Sequence, residues 1–404
     1  MNGYKKVFKK YSQGYKSNHY KKNTSINNLN KIDQKIYNQK SLISKTLNGK
    51  LEYLKTIEEH KEPINNMISL DNSKYLTSDN NDFYIRSLEE NNNKDKDNFG
   101  ENSKIKKIIY SSEKIIFIVD YFNQNNGKEE KGISHKLNVA INYNNKIELY
   151  SCNTSDNPND ILESDNIIIT VGKKFIELFQ INNNNNSLSK VSEISFNDNE
   201  EKYEILSAKY KGKKLISTHG SGHISFWEPI NEYPYLKNTS LRRIHLGPIN
   251  NIILEKNSNN EDILISCSSD KTIKIHSLEE TVCFQVINFN EEVIDIKKIL
   301  NFDGETYYII SLKNGILKLY NASFKEVLEI PNRSNTNNTR YVLNIIKSNI
   351  NNDNGSKEDY ILITEDNKID VYKWTKKEDN KSNKDSEKIN YNKNYYGKKS
   401  NYKY

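Results

Sequence analysis

An eight-residue stretch occurs twice in near-copy, as His60-Lys-Glu-Pro-Ile-Asn-Asn-Met67 and His245-Leu-Gly-Pro-Ile-Asn-Asn-Ile252. Each copy leads into an alternating strand, a polar turn and a second alternating strand. The clearer case is Ile263-Leu-Ile-Ser-Cys-Ser-Ser-Asp270, which passes through Lys271 into Thr272-Ile-Lys-Ile-His276. An internal repeat of this size constrains the fold strongly, because one such unit cannot cover its own apolar faces and must stack on its neighbours. The strand after the turn has a recognisable shape: apolar, polar, apolar, then usually a ring. It appears as Phe83-Tyr-Ile-Arg86, Ile176-Glu-Leu-Phe179, Ile224-Ser-Phe-Trp227, Ile273-Lys-Ile-His276, Leu317-Lys-Leu-Tyr320 and Ile369-Asp-Val-Tyr372. Its last residues are separated by 93, 48, 49, 44 and 52 positions, so the first interval hides one more unit.

Residues 104–152 supply it, with strands at Ile105 to Ser111, Lys114 to Val119, Lys136 to Asn142 and Lys146 to Cys152. Lys146-Ile-Glu-Leu-Tyr150 also has the ring-ended shape, but only 29 residues separate Tyr150 from Phe179, too few for four strands. It is therefore the last strand of its unit. Seven units of about 46 residues follow, close to the spacing of propeller blades. The predicted fold is all-β, a seven-bladed β-propeller of four-stranded antiparallel blades over residues 50–375. A ring of sheets covers the blade faces and leaves only short edges. It closes best if one blade is shared between the chain ends, which predicts Lys50 to Ile57 as the outer strand beside Lys368 to Trp374.

Charge divides the chain at the same places. Residues 1–50 carry twelve Lys against the single acid Asp33, and residues 376–404 carry nine Lys against four acids; with a total of +7, the body between them is about −9. The segments 1–49 and 376–404 lack a helical or strand period and are expected to be disordered basic arms. The 35% hydrophobic content and mean hydropathy of −0.86 fit an ordinary core diluted by polar insertions. Three scattered cysteines, Cys152, Cys267 and Cys283, form no disulfide framework or metal knuckle, so a reducing compartment is expected. Neither a secretory leader nor a run of ~20 apolar residues is seen. These features predict a soluble intracellular protein, cytoplasmic, nuclear or both, with no membrane partner.

The repeats resemble the WD-repeat family over about four-fifths of the chain, most specifically at residues 241–287. In that family a His ahead of the inner strand, a Ser or Thr on the next strand, an Asp in the following turn and a Trp beyond it form one hydrogen-bonded set. The resemblance implies these roles for His245, for Ser266 or Ser268, and for Asp270, with His276 standing where Trp is expected. Trp227 occupies the Trp position of its own blade, but Ser221 stands where Asp is expected. His60, Tyr320 and Tyr372 take the corresponding structural positions in other blades. The Trp-Asp dipeptide that names the family is absent.

No catalytic, metal or cofactor site is predicted, and no small-molecule substrate. His219-Gly-Ser-Gly-His-Ile-Ser-Phe-Trp227 has the residue types of a phosphate or metal site, but it coincides with a turn between strands, where Gly supplies permissive backbone angles. Cys267 and Cys283 lie on predicted strands without a His or acid partner, and Asp79 to Asp82 and Asp366 are turn formers. Function is then expected on loops carried by a rigid ring: a non-enzymatic scaffold for partner proteins, with contact loops containing Lys213, Ser221, His223, Lys271 and Asn314 at one end. The alternative is an RNA-associated role in ribosome assembly or mRNA handling. There Lys5, Lys6, Lys9 and Lys10 would meet phosphates, and Tyr11 and Tyr15 would stack on bases. AT-biased codons alone also produce Lys, Asn and Tyr in such abundance.

Overall fold

The computed structural model describes residues 49–376, apart from 59, 71–73, 89–94, 101, 123–132, 144–145, 165, 183–186, 197–203, 234, 280–281, 301–303, 331–339 and 349–356. The basic arms therefore lie outside the described residues. Among the described residues twenty-eight strands form seven four-stranded antiparallel sheets. The first strand, β1 (Gly49–Glu58), belongs to the last sheet. Blade 1 comprises β2 (Asn66–Ser69), β3 (Lys74–Ser78), β4 (Asp82–Ser87) and β5 (Asp95–Asn98). Blade 2 comprises β6 (Ser103–Ser111), β7 (Lys114–Phe122), β8 (Ile133–Tyr143) and β9 (Lys146–Asn153). Blade 3 follows with β10 (Pro158–Ser164), β11 (Ile167–Gly172), β12 (Phe175–Asn182) and β13 (Ser187–Ser195). Blade 4 has β14 (Ile205–Lys211), β15 (Lys214–His219), β16 (His223–Pro229) and β17 (Leu236–Arg243). Blade 5 has β18 (Ile249–Lys256), β19 (Asp262–Ser268), β20 (Thr272–Ser277) and β21 (Cys283–Asn288). Blade 6 is β22 (Val293–Leu300), β23 (Thr306–Leu312), β24 (Leu317–Asn321) and β25 (Glu326–Ile330). Blade 7 is β26 (Val342–Ser348), β27 (Lys357–Glu365) and β28 (Lys368–Lys376), completed by β1.

Burial explains which residues make which strand. The second strand of a blade is central in its sheet and covered on both faces. β7 can therefore be buried from Lys114 through Asp120, and β19 from Ile263 through Ser268, as near-continuous apolar runs rather than alternating ones. Outer strands lie at the rim, and β21 is exposed at nearly every position. Among the described residues seven apolar clusters form, one in each gap between neighbouring blades. One of them joins Ile64, Met67 and Tyr75 of blade 1 to Leu362, Ile369 and Val371 of blade 7, so the ring is closed.

The closing pair is β1 against β28, with Leu51 opposite Trp374, Tyr53 opposite Tyr372 and Ile57 opposite Ile369. Leu51 is buried against blade 6 and blade 7 side chains, including Trp374 and Tyr307. Inner strands are stitched across the ring by a recurring bulge, at Ile105/Lys107, Pro158/Asp160, Ile205/Ser207, Ile249/Asn251 and Val293/Asp295. A bulge inserts one unpaired residue and re-aims its side chain. Here it reaches the next blade: Lys106 Nζ donates to the Pro158 carbonyl (2.8 Å), Asn159 Nδ2 to that of Ile205 (2.7 Å) and Asn250 Nδ2 to that of Val293 (2.7 Å). The following Asn251 donates to Asp295 Oδ1 (2.6 Å). These contacts account for the paired Asn of the second copy; in the first, Asn65 Nδ2 donates to Asn80 Oδ1 (2.8 Å) and Asn66 Nδ2 to Ser78 Oγ (3.0 Å), both within blade 1.

Candidate interaction surfaces and the networks that hold them

In blade 5, His245 enters ahead of β18 and is fully enclosed. Its Nδ1 lies 2.9 Å from Asp270 Oδ2 and its Nε2 2.8 Å from Ser266 Oγ. The Leu246 N–H donates to the same Asp270 oxygen (2.9 Å), and the Thr272 hydroxyl and N–H donate to the other (2.6 and 3.0 Å). Burial would raise the Asp270 pKa, but the Thr272 hydroxyl, the Leu246 N–H and His245 outweigh it and hold the carboxyl at about 2. Burial pushes the His245 pKa down despite Asp270; because the carboxylate can only accept, Nδ1 carries the hydrogen between them. Ser266 is thus the serine of the set. Ser268 serves the turn instead, donating to the Gly247 carbonyl (3.2 Å) and accepting from the Asp270 N–H (3.0 Å). His276 is buried at the Trp position but makes no bond to Ser266, and its Nε2 has no hydrogen-bond partner. Burial, with His245 and Lys274 adding to it, lowers its pKa to about 4.

Blade 1 repeats the arrangement one strand pair for another. His60 Nδ1 lies 3.0 Å from Asp79 Oδ2, its Nε2 lies 3.0 Å from Thr77 Oγ1, and Tyr84 meets the imidazole edge-on at 4.5 Å. Asp79 Oδ1 caps its own turn, accepting from the Asn81 and Asp82 N–H groups (2.9 and 2.7 Å). Blade 4 solves the problem differently. Trp227 Nε1–H donates to Ser217 Oγ (2.9 Å), and Ser217 in turn lies 3.0 Å from Nε2 of His219 on the same strand. In blade 3 a fully buried Glu177 is the hub, accepting from the Ser155 N–H (2.8 Å), Thr170 (3.1 Å) and Lys190 (3.2 Å). Thr77, Ser217, His219 and Glu177 were not part of the sequence-derived set. Glu177 had a visible signal, an acid flanked by two apolar residues on a strand. His219 had none, because it replaces a loop histidine from within a strand.

The glycine-containing turn before Trp227 is an inter-blade joint. Gly222 has φ +80°, and a Cβ there would lie 2.3 Å from the His245 carbonyl oxygen. Its own carbonyl accepts from the N–H groups of Ile244 and His245 (3.0 and 3.1 Å). Ser221 Oγ and His223 Nδ1 lie 3.0 Å apart.

Meander geometry puts successive turns at opposite ends of a blade. The turns at Ser221–His223, Ser269–Lys271 and Lys313–Gly315 all join a second strand to a third and share the ring end where His60 and His245 enter. Lys213 joins β14 to β15 and sits at the other end. The expectation of one shared end is therefore corrected for Lys213, since each antiparallel strand reverses direction. At the first end, Lys271 donates to the Asn290 carbonyl (2.9 Å), and Asn314 caps its turn through the Ile316 N–H (3.1 Å). Leu246, whose N–H is fixed by Asp270, presents a side chain that is 81% exposed. Tyr320 and Tyr372 are buried, the former donating to Glu326 (3.1 Å) and the latter meeting Tyr53 edge-on at 5.8 Å. Cys267 is fully buried, which drives its pKa up, and Cys283 is exposed on β21. Among the described residues no group of three or more His, Cys, Asp or Glu side chains is placed to hold a metal ion.

Seven four-stranded blades, closed by a strand from the other end of the chain and braced in blades 1 and 5 by His–Ser/Thr–Asp sets, define a seven-bladed β-propeller. The WD40 β-propeller domain of Doa1, known from a crystal structure, matches 80% of this chain and 96% of its own with a TM-score of 0.53 at 13% identity. At that identity the likeness is one of fold. No family model and no curated protein sequence matches the chain.

Proposed function

We propose that this propeller is a non-enzymatic scaffold that holds partner proteins on the exposed turns of its ring. The observation that carries this reading is the direction in which its polar chemistry is used. His60, His245, Asp79 and Asp270, the residues best suited to reaction chemistry, are occupied in bracing blades, and that bracing fixes the turn from which Leu246 projects into solvent. A binding residue on a rigid scaffold loses little entropy when a partner engages it. The test uses the full chain and a Leu246→Asp, Lys271→Glu variant as baits, with quantitative mass spectrometry of what each retains. Loss of a defined subset of partners is expected, and an identical set from both baits would overturn this choice of surface.

The charge of the N-terminal arm supports a second reading, association with RNA: twelve Lys against one acid in the first 50 residues. Its test is RNA retention over a salt series with and without residues 1–48, which leaves β1 whole. Phosphate contacts would give a salt slope that truncation flattens. Equal retention and equal slopes would remove this reading.

A further inference from the structure

Between blades 4 and 5 a groove of about 670 Å³ runs from the β14–β15 turn, at the ring end opposite Leu246, along β17 to Arg242. Its floor is apolar, made by Ile216, Phe226 and Leu278. Its walls carry Lys211, Lys213, Lys214 and Arg242 against Asp262 and Glu279. Two of the cations are already matched within the protein, Lys211 with Asp262 (2.9 Å) and Lys214 with Glu228 (3.0 Å). Lys213 and Arg242 are not in any such ion pair; Arg242 lies over the Phe226 ring at 5.0 Å, and Lys213 is exposed on the turn. A cationic groove is the wrong sign for a body that is about −9 overall, so its charge is local and not an overflow of the general composition.

The surface next to it is apolar. The Ser277 N–H donates to the Val282 carbonyl (3.0 Å), which leads from Leu278 into β21. There Val282, Phe284 and Val286 are each about half exposed, at 50%, 51% and 47%. Among the described residues β21 pairs with β20 alone and is the edge strand of its sheet beside these side chains. An adjoining apolar edge strand and two unmatched cations suit an extended peptide better than a nucleic acid, because the one aromatic ring of the floor, Phe226, is buried beneath Arg242 and offers no face on which a base could stack.

We propose that this groove binds a short extended segment of a partner protein in which an apolar side chain is followed closely by two or more carboxylates. The apolar residue sits against Leu278 and the half-exposed Val282 and Phe284, and the carboxylates meet Lys213 and Arg242. A carboxylate can engage the Arg242 guanidinium through two parallel hydrogen bonds while the ring beneath keeps the guanidinium in place. The inference rests on the reading of the protein as a scaffold and assigns it a second surface, distinct from the Leu246 turn.

The experiment selects a phage-displayed library of random 16-residue peptides against the immobilised full chain. Selected peptides are then measured on wild type, on Lys213→Glu/Arg242→Glu, and on Lys55→Glu, an exposed position on β1 in blade 7. Both groove substitutions lie on surface positions, and matching melting temperatures will verify that the fold is retained. The expected result is enrichment of peptides with an apolar residue next to acidic ones, and at least a tenfold loss of binding in the groove variant with no change in Lys55→Glu. Failure to enrich such peptides, or binding indifferent to the double reversal, would overturn the proposal. So would a fifteen-nucleotide oligouridine that binds wild type and is lost in the groove variant, since it would assign the groove to RNA. If cellular partners survive the groove reversal but depend on Leu246 and Lys271, the groove assignment fails while the scaffold reading stands.

Discussion

Acidification should weaken blade 5 through His276. This imidazole is buried where a hydrogen-bonding ring is expected, and with His245 and Lys274 as neighbours its pKa falls from 6.5 to about 4 on folding. A group whose folded pKa is depressed binds protons more readily in the unfolded chain, so its contribution to stability is complete above pH ~6.5 and is lost as pH falls toward 4. Between pH 7 and pH 5 the linkage amounts to about 2 kcal/mol. With an unfolding entropy of ~2.1 cal/mol/K per residue over roughly 300 ordered residues, that is a fall in Tm of about 3 °C. Calorimetry of wild type and His276→Leu at both pH values isolates the effect. Any pH-independent cost of the substitution cancels, and His245, whose pKa is also lowered, titrates in both proteins. The window stays above the range in which Asp270, held at about 2, begins to protonate. Wild type should lose about 3 °C more than the variant between pH 7 and pH 5. Equal losses would show that His276 is solvated or hydrogen-bonded in the folded protein and would refute the reasoning.

Three further outcomes follow from the packing. Trp227→Phe keeps a ring but removes the donor to Ser217, and should cost about 1–2 kcal/mol by chemical denaturation; in a Ser217→Ala background the same substitution should cost much less, a coupling that a double-mutant cycle reads directly. Gly212→Ala and Gly222→Ala both place alanine at a positive φ. Only Gly222 has a backbone oxygen in the way, so Gly212→Ala should cost about 1–2 kcal/mol and Gly222→Ala distinctly more, measured as denaturation midpoints. Leu51→Asp puts a carboxylate into the apolar gap between blades 6 and 7 and should lower stability by more than about 3 kcal/mol and expose β28 to proteolysis. Leu54→Asp, at the bulge of the same strand and 46% exposed, should leave both measurements unchanged.

How much of this was legible depends on whether the information was local. The ring-ended strand was readable six times, because apolar alternation and its recurrence every 44 to 52 residues are properties of consecutive positions. The hidden blade was recovered from the same spacing, and β6 to β9 fall where residues 104–152 placed them, each within a few residues. The pairing of β1 with β28 was inferred from the geometry of a closed ring, since residues more than 300 positions apart carry no local mark of being neighbours. The candidate site was less readable. The repeated His-x-x-Pro-Ile-Asn-Asn pattern pointed to His60 and His245, but the strand serine or threonine that each histidine would meet depended on register. Register chose Ser266 over Ser268 and matched Thr77 to His60. A one-residue change of pairing turns a side chain to the opposite face, and several strands contain bulges that make that change mid-strand.

The amino-acid order alone determined the unit, because a four-strand meander with two covered middle strands needs its apolar residues in one arrangement wherever it occurs. Tertiary structure decided what the units do to one another. Circular stacking joined Gly222 to His245 and made Asn250 a bridge between blades. It also brought Phe226 and Arg242 of one blade beside Leu278 of the next. The physical reason is range: alternation and turn preference act over a few residues, whereas a groove between two sheets exists only after each has been packed against its neighbour.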